Sequence, residues 1–145
     1  MKCASVYARS GAYFLHPDGT TTDGLRIAMS PCVRLPAGCS DVELGEAVIA
    51  ALGASRTGLR HPWHDEWKLI PQPLLRAARV RSWRAFAREA SQVSLTLEAD
   101  ALTVTPWKRD GDGFVDDPGR PEEQVGSSAV DIGAALRRFL GPIGS

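Results

Sequence analysis

Long apolar runs, paired cysteines and nucleophile motifs are all missing from this chain, and each absence removes a class of function. No stretch of the 145 residues approaches the ~18 apolar residues of a membrane-spanning helix. The opening residues, Met1 to Arg9, hold no apolar signal-peptide core. Cysteine occurs only at Cys3, Cys32 and Cys39, never at C-x-x-C spacing. That usage fits reduced thiols in the cytoplasm, and all three read as small buried hydrophobes. There is no G-x-S-x-G, no P-loop and no H-E-x-x-H. His16, His61 and His64 each stand beside a proline or in irregular sequence, so only the tertiary fold could assemble a Cys–His or Ser–His dyad. The expectation is a protein that is not an enzyme and uses no cofactor and no metal.

What is present is ordinary for a globular protein: 43% apolar and 23% charged residues. At this length the chain is expected to form one domain, residues 1–145, burying about 68% of its unfolded surface. Net charge is zero but unevenly spread. Arg56, Arg60, Lys68, Arg76, Arg79, Arg81, Arg84 and Arg88 face only Asp65 and Glu66 in their stretch. From Glu98 to Glu123 the acids dominate, with Lys108, Arg109 and Arg120 as the only cations. Such asymmetry bears on partners and association rates rather than on fold.

The strongest internal signal is a repeat. Ser40 to Gly53 (SDVELGEAVIAALG) and Ser128 to Gly141 (SAVDIGAALRRFLG) share Ser, Val, Gly, Ala, Leu and Gly at the same offsets. Each reads as a helix with a serine N-cap, an acid three residues on, and a closing glycine. Leu44, Ala47, Val48, Ala51 and Leu52 form one apolar face, matched by Ile132, Ala135, Leu136, Phe139 and Leu140. Gly45 and Gly133 each cost about 1 kcal/mol against alanine inside a helix. Keeping both implies that helix backbone is pressed against a neighbour. Upstream, Leu25 to Pro31 and Leu102 to Pro106 both alternate like half-buried strands and end on proline. Lys108 to Arg120 then looks like an insertion into the second copy.

Val6 to Leu15 reads as one or two strands around Gly11, and His16-Pro-Asp-Gly19 as turn chemistry. Residues 54 to 73 look irregular. A helix running from Leu74 or Ser82 to Glu89 carries Trp83, Phe86, Ala87 and Ala90 on its apolar stripe. Val93 to Leu97 and Leu102 to Val104 form a hairpin signature, and Glu122 to Val125 a short strand. The predicted class is α+β: an antiparallel or mixed sheet with helices mainly on one face, built from two similar strand–strand–helix halves.

Two clusters invite a chemical reading. Asp110-Gly-Asp112-Gly-Phe-Val-Asp116-Asp117 lacks the ligand spacing of a calcium loop and reads as a solvated turn. His61-Pro-Trp-His64-Asp-Glu66 is broken by Pro62 and reads as no metal site. Arg76 to Arg88 with Trp83 is compatible with a small RNA-binding module. A near-neutral chain and a tryptophan on the apolar stripe favour a solvated basic face, with no direct nucleic-acid binding.

Ser82 to Arg88, Val93 to Leu97, Leu102 to Pro106, Gly113 to Val115, Val130 to Leu136 and Asp41 to Ala47 together resemble the CdiI immunity proteins of bacterial contact-dependent growth inhibition systems. The resemblance implies a cytoplasmic, non-membrane protein that binds the C-terminal toxin domain of a cognate CdiA, often a nuclease, and occludes its active site. No catalytic residue follows from it. A nuclease offers a basic substrate track, so the expected toxin-binding surface is acidic: Asp110, Asp112, Asp116 and Asp117, extended by Glu122 and Glu123, with Trp107 and Phe114 as anchors. Trp63 and Trp67 are alternative anchors, or else plugs beneath a loop.

Overall fold

Two-residue turns set the frame of the sheet. In the computed structural model, which describes residues 1–141, Ser10–Gly11 and Ala99–Asp100 hold both turn residues at positive φ. That backbone joins right-twisted antiparallel strands without splaying them. The first turn links β1 (Lys2–Arg9) to β2 (Ala12–Thr20), and the second links β5 (Ser91–Glu98) to β6 (Ala101–Asp110). β1 and β5 pair antiparallel at the centre, with Ser5 opposite Ser94. Outside them, β2 carries β3 (Arg26–Ala28) and β4 (Val33–Pro36), while β6 carries β7 (Gly113–Asp116) and β8 (Glu123–Val125). The order β3-β2-β1-β5-β6-β7, with β4 also on β2 and β8 also on β6, gives one eight-stranded antiparallel sheet.

The halves therefore match element by element, each with four strands followed by a long helix. This corrects the upstream alignment of the repeat. Leu102 to Pro106 lies in β6, the counterpart of β2, whereas Leu25 to Pro31 contains β3, the counterpart of β7. The corresponding prolines are Pro17 and Pro106. Each falls between the stretch of its strand paired to one short outer strand and the stretch paired to the other. No outer ladder bond is lost at that changeover, so neither proline ends its strand. For the same reason His16 to Gly19 is not a turn but part of β2. Lys108 to Arg120 is not a loose insertion: it holds the end of β6, β7 and the approach to β8.

α1 (Asp41–Ala54) and α4 (Ala129–Leu140) cover one face of the sheet. Leu44, Val48, Ile132 and Leu136 are buried there against Val6, Leu15, Leu95 and Val104. Full burial of such side chains stabilises by about 1.5–3 kcal/mol each. The paired glycines do what the repeat implied. A Cβ at Gly45 would overlap the Ala129 backbone, and one at Gly133 would overlap that of Asp41, so two helix backbones touch where side chains are missing. Ser40 Oγ accepts from Glu43 N at 3.1 Å while Glu43 Oε1 accepts from Ser40 N at 3.1 Å, a full capping box. Ser128 Oγ accepts from Asp131 N at 3.2 Å. Gly141 closes α4 at φ 71°, but Gly53 does not close α1. The helix continues to Ala54 and ends at Ser55, whose hydroxyl donates to the Asp18 carbonyl at 2.5 Å and accepts from Cys3 N at 2.9 Å. Those tertiary bonds, not a left-handed glycine, set the helix end.

The opposite face is covered only at one end. Of the two starts expected for a helix ending near Glu89, Ser82 is the cap of α3 (Trp83–Ala87), and Leu74 falls in a separate helix, α2 (Gln72–Ala78), because Arg79 turns left-handed at φ 59°. Leu74, Leu75 and Phe86 pack on Tyr7, Ala12 and Phe14. A 3₁₀ helix, His64–Leu69, precedes them in the stretch read as irregular. Among the described residues no helix is long and apolar enough to cross a membrane.

Candidate functional site

β1, β2 and β5 turn polar side chains toward the face that α1 and α4 leave open. Ser5, His16, Asp18 and Ser94 are four of the six buried polar residues among those described, and strand alternation brings all four onto this face. Burying polar groups costs stability unless each finds partners. Asp18 is fully engaged. Its Oδ2 accepts from Ser5 Oγ at 2.6 Å, from Arg26 Nε at 2.9 Å and from Arg26 Nη2 at 2.7 Å. Burial alone would raise the Asp18 pKa. The hydrogen bond and charge of His16, the Arg26 guanidinium and the Ser5 hydroxyl more than offset it, leaving the carboxyl below its usual range. His16 Nδ1 lies 3.0 Å from the Pro17 carbonyl and 3.3 Å from Asp18 Oδ1. On the other side of the central pair, Trp107 Nε1 donates to Ser94 Oγ at 2.8 Å.

Aromatic rings wall this floor. Tyr7 meets Trp83 and Phe114 edge-on at centroid distances of 6.1 and 5.9 Å, a favourable arrangement for ring quadrupoles. Between the rings and the polar floor lies a cleft of about 330 Å³. A second, apolar compartment of about 220 Å³ adjoins it, shares Tyr7, His16, Ala28 and Trp83 with it, and ends on Met29, Cys32 and Ile70. Cys32 is half-buried here rather than buried, unlike Cys3 and Cys39. Burial pushes its thiol up to about 11, so it stays protonated and a poor nucleophile at neutral pH.

Of the residues expected to meet a toxin, Trp107 and Phe114 line the cleft together, on β6 and β7. Asp116 is the register partner of Trp107 and is exposed at its rim. Asp110 and Asp112 flank the tip of the β6–β7 hairpin, where Asp112 pairs with Arg84 at 3.3 Å. The Asp110 to Asp117 stretch is thus a hairpin with a tight turn at Gly111–Asp112, rather than one solvated turn. Asp117 accepts from Gly119 N at 3.0 Å. Glu122 and Glu123 lie apart from the hairpin tip: Glu122 accepts from Thr105 Oγ1 at 3.4 Å, and Glu123 is held by Arg138 of α4 at 2.9 and 3.1 Å, which lowers its pKa. Among the described residues no cluster of metal-ligating side chains occurs.

Trp63 and Trp67 are not plugs. Trp63 is 67% exposed and lies under the Arg60 guanidinium at 4.8 Å, while Arg60 is gripped by Glu66 at 2.9 and 3.1 Å. Trp67 meets His61, which bonds Asp23 at 2.8 Å. Trp83, placed on the apolar stripe, does stack on Phe86. The polar floor was the feature missed. Its signal was a His and an Asp two apart, at one strand face, in a segment otherwise apolar from Ala12 to Leu15; Pro17 and Gly19 disguised it as a turn.

The whole arrangement has relatives. A Neisseria meningitidis protein of unknown function shares the fold with a TM-score of 0.78 at 18% identity, over 96% of this chain and 93% of that one. A chain of the CdiA-CT/CdiI toxin and immunity complex from Yersinia pseudotuberculosis superposes with a TM-score of 0.78 at 17% identity, over 96% and 95%. No curated protein matches the sequence. The family model CdiI, CDI immunity protein, matches residues 2–141. The chain belongs to the CDI immunity protein family.

Proposed function

We propose that this protein is a single-domain cytoplasmic inhibitor, not an enzyme, that binds the C-terminal toxin domain of its cognate CdiA and blocks the active site of that toxin, a nuclease. The observation that carries the reading is the family match across residues 2–141; the fold shared with a chain of a toxin and immunity complex supports it. Blocking is steric and electrostatic. A nuclease must hold phosphates with cations, and an acidic surface competes for that track and accelerates encounter.

The β6–β7 hairpin is the surface that suits this role. Among the described residues Asp110, Asp116 and Asp117 make no ion pair, whereas Asp112 and Glu123 are already paired with Arg84 and Arg138. Trp107 and Phe114 flank them as half-buried rings that a partner can finish desolvating.

Co-expression with the toxin domain of the cognate CdiA tests the reading. The wild-type chain restores growth and binds that domain. A D110S/D112S/D116S/D117S variant loses both at physiological salt. Protection and affinity undiminished in that variant would eliminate the hairpin as the epitope, and a wild-type chain that never binds the toxin would eliminate the function.

A further inference from the structure

The sheet repeats one device across its centre. Ser5 and Ser94 face each other in register on the two inner strands, and both are buried, at 5% and 4% exposed. Ser5 is paired with His16, and its hydroxyl donates to the side chain two residues further along, Asp18 Oδ2, at 2.6 Å. Ser94 is paired with Thr105, and the side chain two residues further along, Trp107, donates its Nε1 proton to Ser94 Oγ at 2.8 Å. Diagonal neighbours of this kind lie within reach across an antiparallel pair. A hydroxyl both donates and accepts, so one residue type serves a carboxylate on one side and an indole on the other. Asp18 and Trp107 directly follow the matched prolines Pro17 and Pro106.

The two copies differ in what their bond leaves free. Asp18 is buried and also held by Arg26, so its bond to Ser5 serves the fold. Trp107 is half-buried and lines the cleft on the open face. Its neighbour Phe114 is wedged edge-on against Tyr7 and Trp83 at 5.9 and 6.0 Å. Among the described residues Trp107 makes no such ring contact, so packing between rings does not set it. An indole has a single polar atom, a donor. With that atom committed to Ser94, the ring is tied to the cleft floor and offers only carbon outward. An aromatic ring set in place beforehand loses less conformational freedom when a partner covers it.

We propose that Ser94 is a positioning residue for toxin binding: its hydroxyl fixes the Trp107 indole in the orientation that the toxin domain covers. The assignment rests on the immunity reading above, in which Trp107 is an anchor, and adds the group that sets this anchor. Ser94 acts through the ring alone. The patch of toxin over the ring needs no acceptor for the indole proton, because that proton stays on Ser94.

A double-mutant cycle provides the test. Calorimetric titration with the purified toxin domain compares wild type, Ser94→Ala, Trp107→Phe and the double variant of the full chain. Freeing the indole is expected to weaken binding about fivefold in S94A, the scale of ordering one long side chain on association. W107F has no indole proton and also binds more weakly. Adding S94A to it costs nothing further, since residues that act as one unit are not additive. Ser94→Val, β-branched and suited to a strand, carries the same comparison if S94A gives no cooperative melt by circular dichroism. In chains whose other tryptophans are Phe, loss of the hydroxyl also lowers the fluorescence anisotropy of Trp107, which a merely less stable but folded sheet would not do. Unchanged affinity or anisotropy in S94A, an equal loss in the wild-type and W107F backgrounds, or full affinity of W107F would each overturn the assignment while toxin binding by the wild-type chain stands. Failure of the wild-type chain to bind would overturn the function itself and the assignment with it.

Discussion

Asp18 shows at the scale of one residue how a buried charge is tolerated in the middle of a sheet. Its side chain is 5% exposed, yet every neighbour in reach favours the ionised form: Arg26, Ser5 and His16. Its carboxyl titrates lower in the folded chain than in the unfolded one, where about 3.9 is usual. The stabilisation is therefore complete above about pH 4 and is lost as pH falls through the folded value. Asp18→Asn keeps the shape but leaves the Arg26 charge without its counter-ion. Breaking a buried pair from one side costs about 3 kcal/mol. Urea unfolding at pH 7 is expected to show that loss, and the variant's stability should fall less steeply than wild type between pH 4 and pH 2. Equal acid slopes would show that Asp18 is not the group being titrated.

At the scale of elements, the two long helices meet through bare backbone. Gly45 of α1 lies on Ala129, and Gly133 of α4 lies on Asp41. Alanine normally stabilises a helix interior by about 1 kcal/mol over glycine. Here the sign reverses, because backbone cannot yield as a flexible side-chain tip does. Gly45→Ala and Gly133→Ala are each expected to destabilise by about 2 kcal/mol through overpacking, measured by denaturant titration. A gain in stability for either would mean that the helices slide apart freely. These helices were legible in the sequence because caps, apolar stripe and internal glycine are local signals written twice. The polar floor was not legible. Ser5, His16, Asp18 and Ser94 come from three strands and gain meaning only from register, with Ser5 facing His16 on one side and Ser94 on the other. The split between α2 and α3 was hidden for a different reason. Arg79 adopts a left-handed conformation with no glycine to announce it. Of the eight residues expected to meet a toxin, Trp107, Asp110, Asp112, Phe114 and Asp116 fall in the β6–β7 hairpin. Glu122 and Glu123 moved elsewhere, because the chain turns back along β6 through β8.

Over the whole molecule, the two matched halves do not form two units. Their inner strands β1 and β5 are paired from Lys2–Leu97 through Ala8–Ser91, and their helices close over a shared core that draws Val6 and Leu15 from one half and Leu95 and Val104 from the other. Separating the halves would strip a central ladder and open the α1–α4 contact at once. Each half would keep only its own helix over its strands, and an uncovered inner strand is a template for aggregation. Unfolding is therefore expected to be one cooperative transition. The tryptophans offer probes placed unequally for this: Trp63 and Trp67 report the segment before α2, while Trp83 and Trp107 report the open-face cleft. Retaining Trp107 alone in one variant, with the others changed to Phe, lets fluorescence follow the second half while far-ultraviolet circular dichroism follows all helices. Coincident midpoints and slopes in urea are the expected result, as is failure of residues 1–89 expressed alone to give a cooperative melt. Two separated transitions would mean that each half carries its own stability, and the pairing of Ser5 with Ser94 would then be a docking contact between independent units rather than the centre of one sheet.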